Sequence, residues 1–525
     1  MANRTKGWFY AAWLAALAGF AVLHGLHLRA DFPNYSPWSM DWAKYTDEGW
    51  YGNAAIRAHL FGHWYVPGDF NPAVATPLWP LLEWALFFFT GVTVQAARGL
   101  AIAAFFLNLG LGYCLLRVRG SRWMALLALT MMVTNPFVYS FSRLAILEPL
   151  LMTLTLVAMN LAVRMRQWQR PVGMAACIGI LFSAMMLTKT TAIFLLPALG
   201  WAIVTPLWKR NHLATQCAAA AGAAFALSYG AWMTVVIHSG LMADYRYFFF
   251  INSYERPTEF YWPLVSLWWS FHGGLWIDKI LVPLAGVLTL GAVAFWRKGR
   301  SLALDPVFGA SVLAVAGYIL FMTYQNHPQP RYFAVVAMFS FFIVAMGVET
   351  LLGWARDGMA WRLAGFVVVG LIAVAVCVNG ALTLDYAAHP QYTFVNAAEK
   401  LARYINTHPN GNRLLVSVSG DELTLLNHIP ALCDDFGTME LPEKITRYQP
   451  GWYASWNDLD PGTLADLHTR YSLEQLAEFP AFDNKERNVL ILFKLHPLPQ
   501  GAVRDEGDID LTQQLPEDRF DAPIE

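Results

Sequence analysis

Residues 45–80 read YTDEGWYGNAAIRAHLFGHWYVPGDFNPAVATPLWP, and an acidic pair, Asp47 and Glu48, stands inside this aromatic-rich stretch just after the first long apolar segment. Whether 45–80 belongs to a membrane span or to a loop sets the phase of everything that follows. The chain has 525 residues, of which 56% are hydrophobic and 14% charged. Several apolar runs reach the roughly 18 to 25 residues that cross a bilayer. These fall near 8–28, 98–116, 123–141, 149–163, 171–188, 191–206, 213–238, 275–295, 305–323, 332–352 and 361–383, which predicts about eleven spans. The fold class expected is therefore a polytopic α-helical membrane protein.

Basic clusters recur in alternate connections: Arg4/Lys6, Arg117/Arg119/Arg122, Arg164/Arg166/Arg170, Lys209/Arg210, Arg297/Lys298/Arg300 and Arg356/Arg362. The positive-inside rule places all six in the cytoplasm. The phase holds only if the short apolar stretch Leu78 to Phe89, which contains Glu83, does not span. It is read as an interfacial or re-entrant helix. Residues 29–97 then form one large extracytoplasmic loop that carries Asp47 and Glu48. The first span has a basic start and no small-residue cleavage site, and reads as a retained anchor.

Net charge is -1, so no charge imbalance points to nucleic acid as a partner. Four of the five cysteines lie in or beside apolar spans and Cys433 stands alone in the C-terminal part, so no disulfide is available within that part. Beyond residue 384 the composition becomes that of a soluble protein. An amphipathic helix over about 393–407 precedes strand-like RLLVSVSG (413–420), and NVLILFKL (488–495) closes the regular part. This predicts a membrane domain over 1–384 and a soluble α/β domain over 385–525, outside the membrane, with an acidic flexible tail from about 503.

The polar residues gather on the outer side: SRLAILEP (142–149), Lys189 in LTKTTA, the aromatic loop 244–274 and NHPQPRYF (326–333). Arg143, Glu148, Lys189 and Arg331 stand at the outer ends of four different spans, where a charge needs water, a partner or a lipid phosphate. Arginine holds phosphate through a planar fork and lysine as a point charge. Snorkelling to the interface, or an Arg143–Glu148 ion pair, explains the same residues without function. A carboxylate in a semi-buried aromatic loop serves as a general base on a hydroxyl. Asp69, in the same loop but outside the pair, is expected to be a near-neutral position. His59 and His63, four residues apart, have the spacing of metal ligands, although interfacial packing accounts for them equally.

The acidic pair, GHWYVPGDFNP, TPLWP, SRLAILEP, LTKTTA and PRYF, in this order over residues 5 to 350, resemble the GT-C glycosyltransferases of the protein O-mannosyltransferase and lipid A aminoarabinose transferase (family 39-like) group. The resemblance implies a GT-C fold and an inverting transferase that takes one sugar, hexosyl or pentosyl, from a polyprenyl-phosphate carrier. The acceptor would be an envelope glycan, a glycolipid or a protein on the outer, periplasmic face of a bacterial cytoplasmic membrane. It also implies that Asp47 is catalytic with Glu48 as its neighbour, and that no metal or cofactor is needed. Glu148 matches an acid that is usually Asp in aminoarabinose transferases. Ala75-Thr76-Pro77 replaces the Lys-Pro-Pro or His-Pro-Pro of relatives, which leaves phosphate binding to Lys189, Arg143 or Arg331, with Glu148 and Tyr332 completing the expected substrate- and lipid-phosphate-binding set. An oligosaccharide ligase and a flippase of lipid-linked sugars are the alternatives.

Overall fold

The computed structural model describes residues 2–31, 41, 43–251, 262–325, 329–481 and 488–499. The middle of the expected aromatic loop, Asn326, His327 and Pro328 of NHPQPRYF and the acidic tail lie outside the described residues. The chain is a multi-pass helical protein with a small mixed sheet near its C-terminus. Seven helical stretches among the described residues are long and apolar enough to cross a membrane: Gly7–His24, Val94–Leu116, Thr190–Leu207, Asn211–His238, Pro306–Tyr324, Pro330–Asp357 and Met359–Thr407, whose apolar helix is Met359–Ala388. Two bent pairs raise the number to nine.

In the first pair Arg122–Thr134 meets Pro136–Ser142 at 72°. Pro136 has no N–H to continue the ladder, and Asn135 caps the new helix by accepting from Val138 N at 3.0 Å. The second pair corrects a boundary, because the span expected at 275–295 is broken. Pro263–Ile277 meets Leu281–Ala294 at 117°, and Asp278 accepts from the N–H groups of Ile280 (2.6 Å) and Leu281 (2.5 Å) at the break. The remaining two expected spans are 16-residue helices, Glu148–Val163 and Pro171–Met186. At 1.5 Å per residue each covers about 24 Å, less than a full hydrocarbon core. Phe333–Trp354 is buried on almost every side, as its unbroken apolar sequence requires, and forms the centre of the bundle.

The ends of the bundle differ. At one end Arg119 pairs with Asp305 at 2.6 Å and Ser121 N donates to Glu349 at 3.0 Å, which joins connections expected on the same side. At the other end the loop after the first span packs under the C-terminal domain. Leu78–Thr90 is a separate 13-residue helix that buries Trp79, Glu83 and Phe87 and exposes Leu81, Trp84, Phe88 and Phe89. It packs against the helix Glu48–Phe61, and a Cβ at Gly52 of that helix would lie only 2.4 Å from Glu83 Oε2.

The C-terminal domain opens with the helix Thr393–Thr407, at the position its amphipathic pattern predicts. Asp31, just after the first span, accepts from the N–H groups of Phe394 (2.8 Å) and Val395 (3.3 Å) and so caps that helix from outside. Five strands follow: β1 Leu415–Val416, β2 Ala431–Leu432, β3 Trp452–Trp456, β4 Tyr471–Pro480 and β5 Val489–Pro497. Their order is β2-β1-β3-β5-β4. β1 is parallel to β2 and β3, whereas β5 is antiparallel to β3 and β4. Tyr45 of the loop inserts into this domain's core, edge-on to Phe394 and Trp456 with ring centroids 5.1 Å apart.

Candidate active site

The quoted stretch begins with a short π-helical turn, Ala43–Asp47, that runs directly into the α-helix Glu48–Phe61. Asp41 starts the turn by accepting from Ala43 N at 2.7 Å. Asp47 is the N-cap of the helix, yet its side chain makes no capping hydrogen bond. Its carboxylate turns instead to Arg331, whose Nε lies 2.7 Å from Asp47 Oδ2. Arg331 occupies the 3₁₀ turn Pro330–Tyr332 that opens the central helix. Asp41 fastens this turn, since its Oδ2 accepts Arg331 N–H at 2.8 Å and its Oδ1 lies 3.3 Å from the guanidinium.

A second ion pair stands beside the first. Glu148 begins the helix Glu148–Val163, and its Oε1 accepts from Lys189 Nζ at 2.7 Å. The ammonium lies over the ring of Tyr332 at 4.8 Å and over that of Tyr51 at 5.8 Å, while the Arg331 guanidinium lies 5.0 Å from the Tyr332 ring. Tyr332 therefore holds two cations against its face, an arrangement favoured by the ring quadrupole. The five groups form one row: Asp47, Arg331, Tyr332, Lys189, Glu148. All are buried.

Burial is the largest influence on Asp47 and raises its pKa to about 6. Arg331 and Lys189 pull it down and Asp41 and Glu148 push it up, without reversing the effect of desolvation. The outcome is a carboxylate that takes up a proton close to neutral pH. Such a group suits general-base work. An apolar cavity of about 800 Å³, which none of the five row residues lines, is walled by Leu267, Phe271, Val282, Ile319, Phe333 and Val336 among others. Phe333 and Val336 belong to the same helix that Arg331 and Tyr332 lead into, so charge and apolar space adjoin within about one helical turn.

Glu48 and Arg143 take other places. Glu48 turns away from Asp47, as consecutive helical residues do, and receives a bidentate grip from Arg98 (Nε to Oε1 2.8 Å, a terminal nitrogen to Oε2 2.5 Å). Its Oε1 also accepts from Ala145 N at 2.7 Å. This carboxylate ties the helix to the start of Val94–Leu116 and to the 142–149 segment. Arg143 donates to the Tyr139 hydroxyl and to the carbonyls of Leu26 and His27, and so closes the C-terminal end of the first helix. Glu148 is the partner of Lys189 rather than of Arg143.

Asp69 requires a correction. It is fully buried, 2.6 Å from Arg57 and 3.6 Å from Lys444, and it accepts from Cys433 N at 3.0 Å. It joins the loop to the C-terminal domain and is not a neutral position. His59 Nε2 meets the Trp84 carbonyl at 2.9 Å and His63 Nδ1 the Phe61 carbonyl at 3.2 Å. Asp41 is the site residue that sequence reasoning missed. Its single available signal was a position six residues before Asp47, and its bond to Arg331 spans 290 residues.

Neither a protein-family model nor a curated protein sequence matches the chain. Solved structures do. ArnT from Cupriavidus metallidurans bound to undecaprenyl phosphate aligns with a TM-score of 0.62 at 14% identity, over 93% of this chain and 98% of that one. The same protein in the apo state gives 0.54 at 14% identity, over 92% and 98%. The archaeal oligosaccharyltransferase AglB from Archaeoglobus fulgidus, in complex with an inhibitory peptide and a dolichol-phosphate, gives 0.51 at 12% identity, over 96% and 75%. These neighbours are GT-C glycosyltransferases, and this chain has the GT-C fold that its motifs resemble.

Proposed function

We propose that the chain is an inverting glycosyltransferase that moves one sugar from a polyprenyl-phosphate carrier to an acceptor hydroxyl on the outer face of a bacterial cytoplasmic membrane. The observation that carries this reading is the buried Asp47–Arg331 pair, joined through Tyr332 to Lys189 and leading into the helix whose Phe333 and Val336 line an apolar cavity. A soluble sugar nucleotide needs no such cavity. A phosphate on an isoprenoid chain needs both halves.

In this mechanism Arg331 and Lys189 meet the carrier's phosphate, and Glu148 and Asp41 keep the two cations aimed. The isoprenoid chain occupies the apolar cavity. Asp47 takes the proton of the acceptor hydroxyl as that oxygen attacks the anomeric carbon, and the bond from that carbon to the phosphate oxygen breaks. Polyprenyl phosphate leaves with the electron pair, its added charge held by the same cations. Attack opposite the leaving group inverts the anomeric centre. Glu48 does not touch the reacting atoms in this scheme: with Arg98 it holds the helix that presents Asp47.

The test is transfer itself. Purified protein in lipid nanodiscs is incubated with a radiolabelled polyprenyl-phosphate sugar and an envelope extract. Label in a glycan, glycolipid or protein with one sugar added and inverted stereochemistry supports the proposal. Transfer of a whole oligosaccharide identifies a ligase, and movement of intact donor across the membrane of proteoliposomes identifies a flippase; either result overturns it.

A further inference from the structure

One stripe of the helix Glu48–Phe61 faces the C-terminal domain. Gly49, Asn53 and Arg57, spaced by four, lie one above another on a helix surface. Each meets one of two consecutive acids, Asp421 and Glu422, in the first turn of the helix Gly420–Asn427. Glu422 Oε2 accepts from Gly49 N at 2.7 Å. Asp421 accepts from Asn53 Nδ2 at 3.0 Å through one oxygen and pairs with Arg57 at 2.7 Å through the other. The backbones come so close that a Cβ at Gly49 would lie 2.2 Å from Glu422 N. Only glycine fits there.

An aspartate at the N-cap ordinarily turns its carboxylate back onto the N–H of the second or third helical residue. Asp47, the last residue of the π-helical turn, already has helical backbone angles (φ −65°, ψ −36°), so its side chain makes no such bond and turns to Arg331. Gly49 is the second helical residue, and its N–H is already taken by Glu422. We infer that Glu422 is a positioning residue: by accepting the Gly49 N–H where the π turn passes into the α-helix, it anchors that junction from the other domain and so holds the Asp47 carboxylate toward Arg331 and the substrate. The appended domain would then be part of the active site's construction rather than an accessory to it. This rests on the reading of Asp47 as the base.

The electrostatic surroundings agree. Asp47 is faced by Arg331, Asp41, Lys189 and Glu148, and the Tyr51 and Tyr332 hydroxyls also feel its charge. Glu422 is faced by Glu48, Arg98 and Asp47, and burial, followed by the charge of Glu48, pushes its carboxyl well above the usual carboxylate range. A neutral carboxyl accepts the Gly49 N–H through its carbonyl oxygen. Glutamine does the same.

The experiment compares Glu422→Ala, Glu422→Asp and Glu422→Gln in the full chain in nanodiscs. Ala removes the acceptor, and Asp keeps the carboxyl but is shorter by about 1.5 Å, so it does not reach Gly49 N. In both, the junction between the π turn and the helix loses its anchor, and Asp47 is expected to drift from Arg331. Turnover should fall by ~10- to 100-fold, the scale of a misplaced catalytic group, with donor KM changed less than ~2-fold. The acid limb of the pH profile should move above about 6, because the Arg331 charge is what holds the Asp47 carboxyl down. Gln should recover turnover to within ~3-fold of wild type, with its limb near 6. Hydrogen exchange at the Gly49 amide should be fast in the Ala and Asp variants and protected in Gln. That last readout is independent of chemistry: if Asp47→Asn keeps turnover while Gly49 exchange follows residue 422 as expected, the base assignment fails and the anchor stands. Unchanged Gly49 exchange in both Ala and Asp variants, or a Gln variant no better than they are, would overturn the inference.

Discussion

Replacing Asp47 with Asn keeps the size of the side chain and one oxygen for Arg331 while deleting the base. The structure gives two separate magnitudes for this change. For activity, a positioned general base is worth roughly 10²- to 10⁴-fold, so single-sugar turnover at neutral pH should fall by at least ~10². For stability the sign is opposite. The Asp47 pKa rises from 3.8 to about 6 on folding, so the native state holds a proton more tightly than the unfolded chain. The stability linked to that proton is fully present below pH ~4 and is lost as pH rises through about 6. A difference of about two units, at about 1.4 kcal/mol each, makes ionised Asp47 cost on the order of 3 kcal/mol near neutrality. Asn carries no such cost, so the variant should be at least as stable as wild type at pH 7.5 and lose that advantage near pH 4. Both readouts come from one preparation: initial rates of transfer and a melting temperature in nanodiscs at each pH. Wild-type kcat/KM should in turn rise through an apparent pKa near 6. If Asp47→Asn turns over within ~3-fold of wild type, the base lies elsewhere. If it loses activity and melts lower in proportion, Asp47 is a structural partner of Arg331 instead.

Other expectations follow from the same contacts. Arg331→Ala and Lys189→Ala should each raise the donor KM more than the acceptor KM, which titrations of both substrates measure; equal effects would move the phosphate elsewhere. Arg331→Ala also leaves Asp41 and Asp47 buried without their cation, so its melting temperature should drop further than that of an exposed-site control. Asp69→Ala strips a carboxylate from buried Arg57 and Lys444 and should cost about 3–5 kcal/mol, read by thermal unfolding, with loss of the contact between loop and C-terminal domain. Single cysteines at Arg119 and Lys298 should react with impermeant maleimide only in opened cells, and those at Ala243 and Asn457 in intact ones. Labelling of position 457 only after opening would reverse the proposed orientation.

The sequence alone carried the architecture because hydrophobic periodicity and basic loops are local signals. Each span announces itself within about twenty residues, and the amphipathic helix Thr393–Thr407 does so within fifteen. The failures were local conflicts: Asp278 breaks an apolar run that otherwise reads as one span, and its capping of the next helix is invisible until the chain turns through 117°. The site was legible in part. Glu148, Lys189 and Arg331 were named from their place at span ends, Asp47 from the acidic pair of the long loop and Tyr332 from PRYF, and the structure brings these five into one row while Arg143, also at a span end, stands elsewhere. The family resemblance singles out Asp47 over Glu48, but residue type, spacing and burial do not show why. The two are adjacent, both acidic and both buried, but a helix advances 100° per residue, so one carboxylate meets Arg331 and the other meets Arg98. The partners that make this distinction, Arg98 and Arg331, lie 50 and nearly 300 residues away in the chain. A buried ion pair depends on which cation the tertiary fold delivers within about 3 Å, and desolvation depends on what covers the group from every side. Composition places charges at a surface; only packing decides which of them remains free to react.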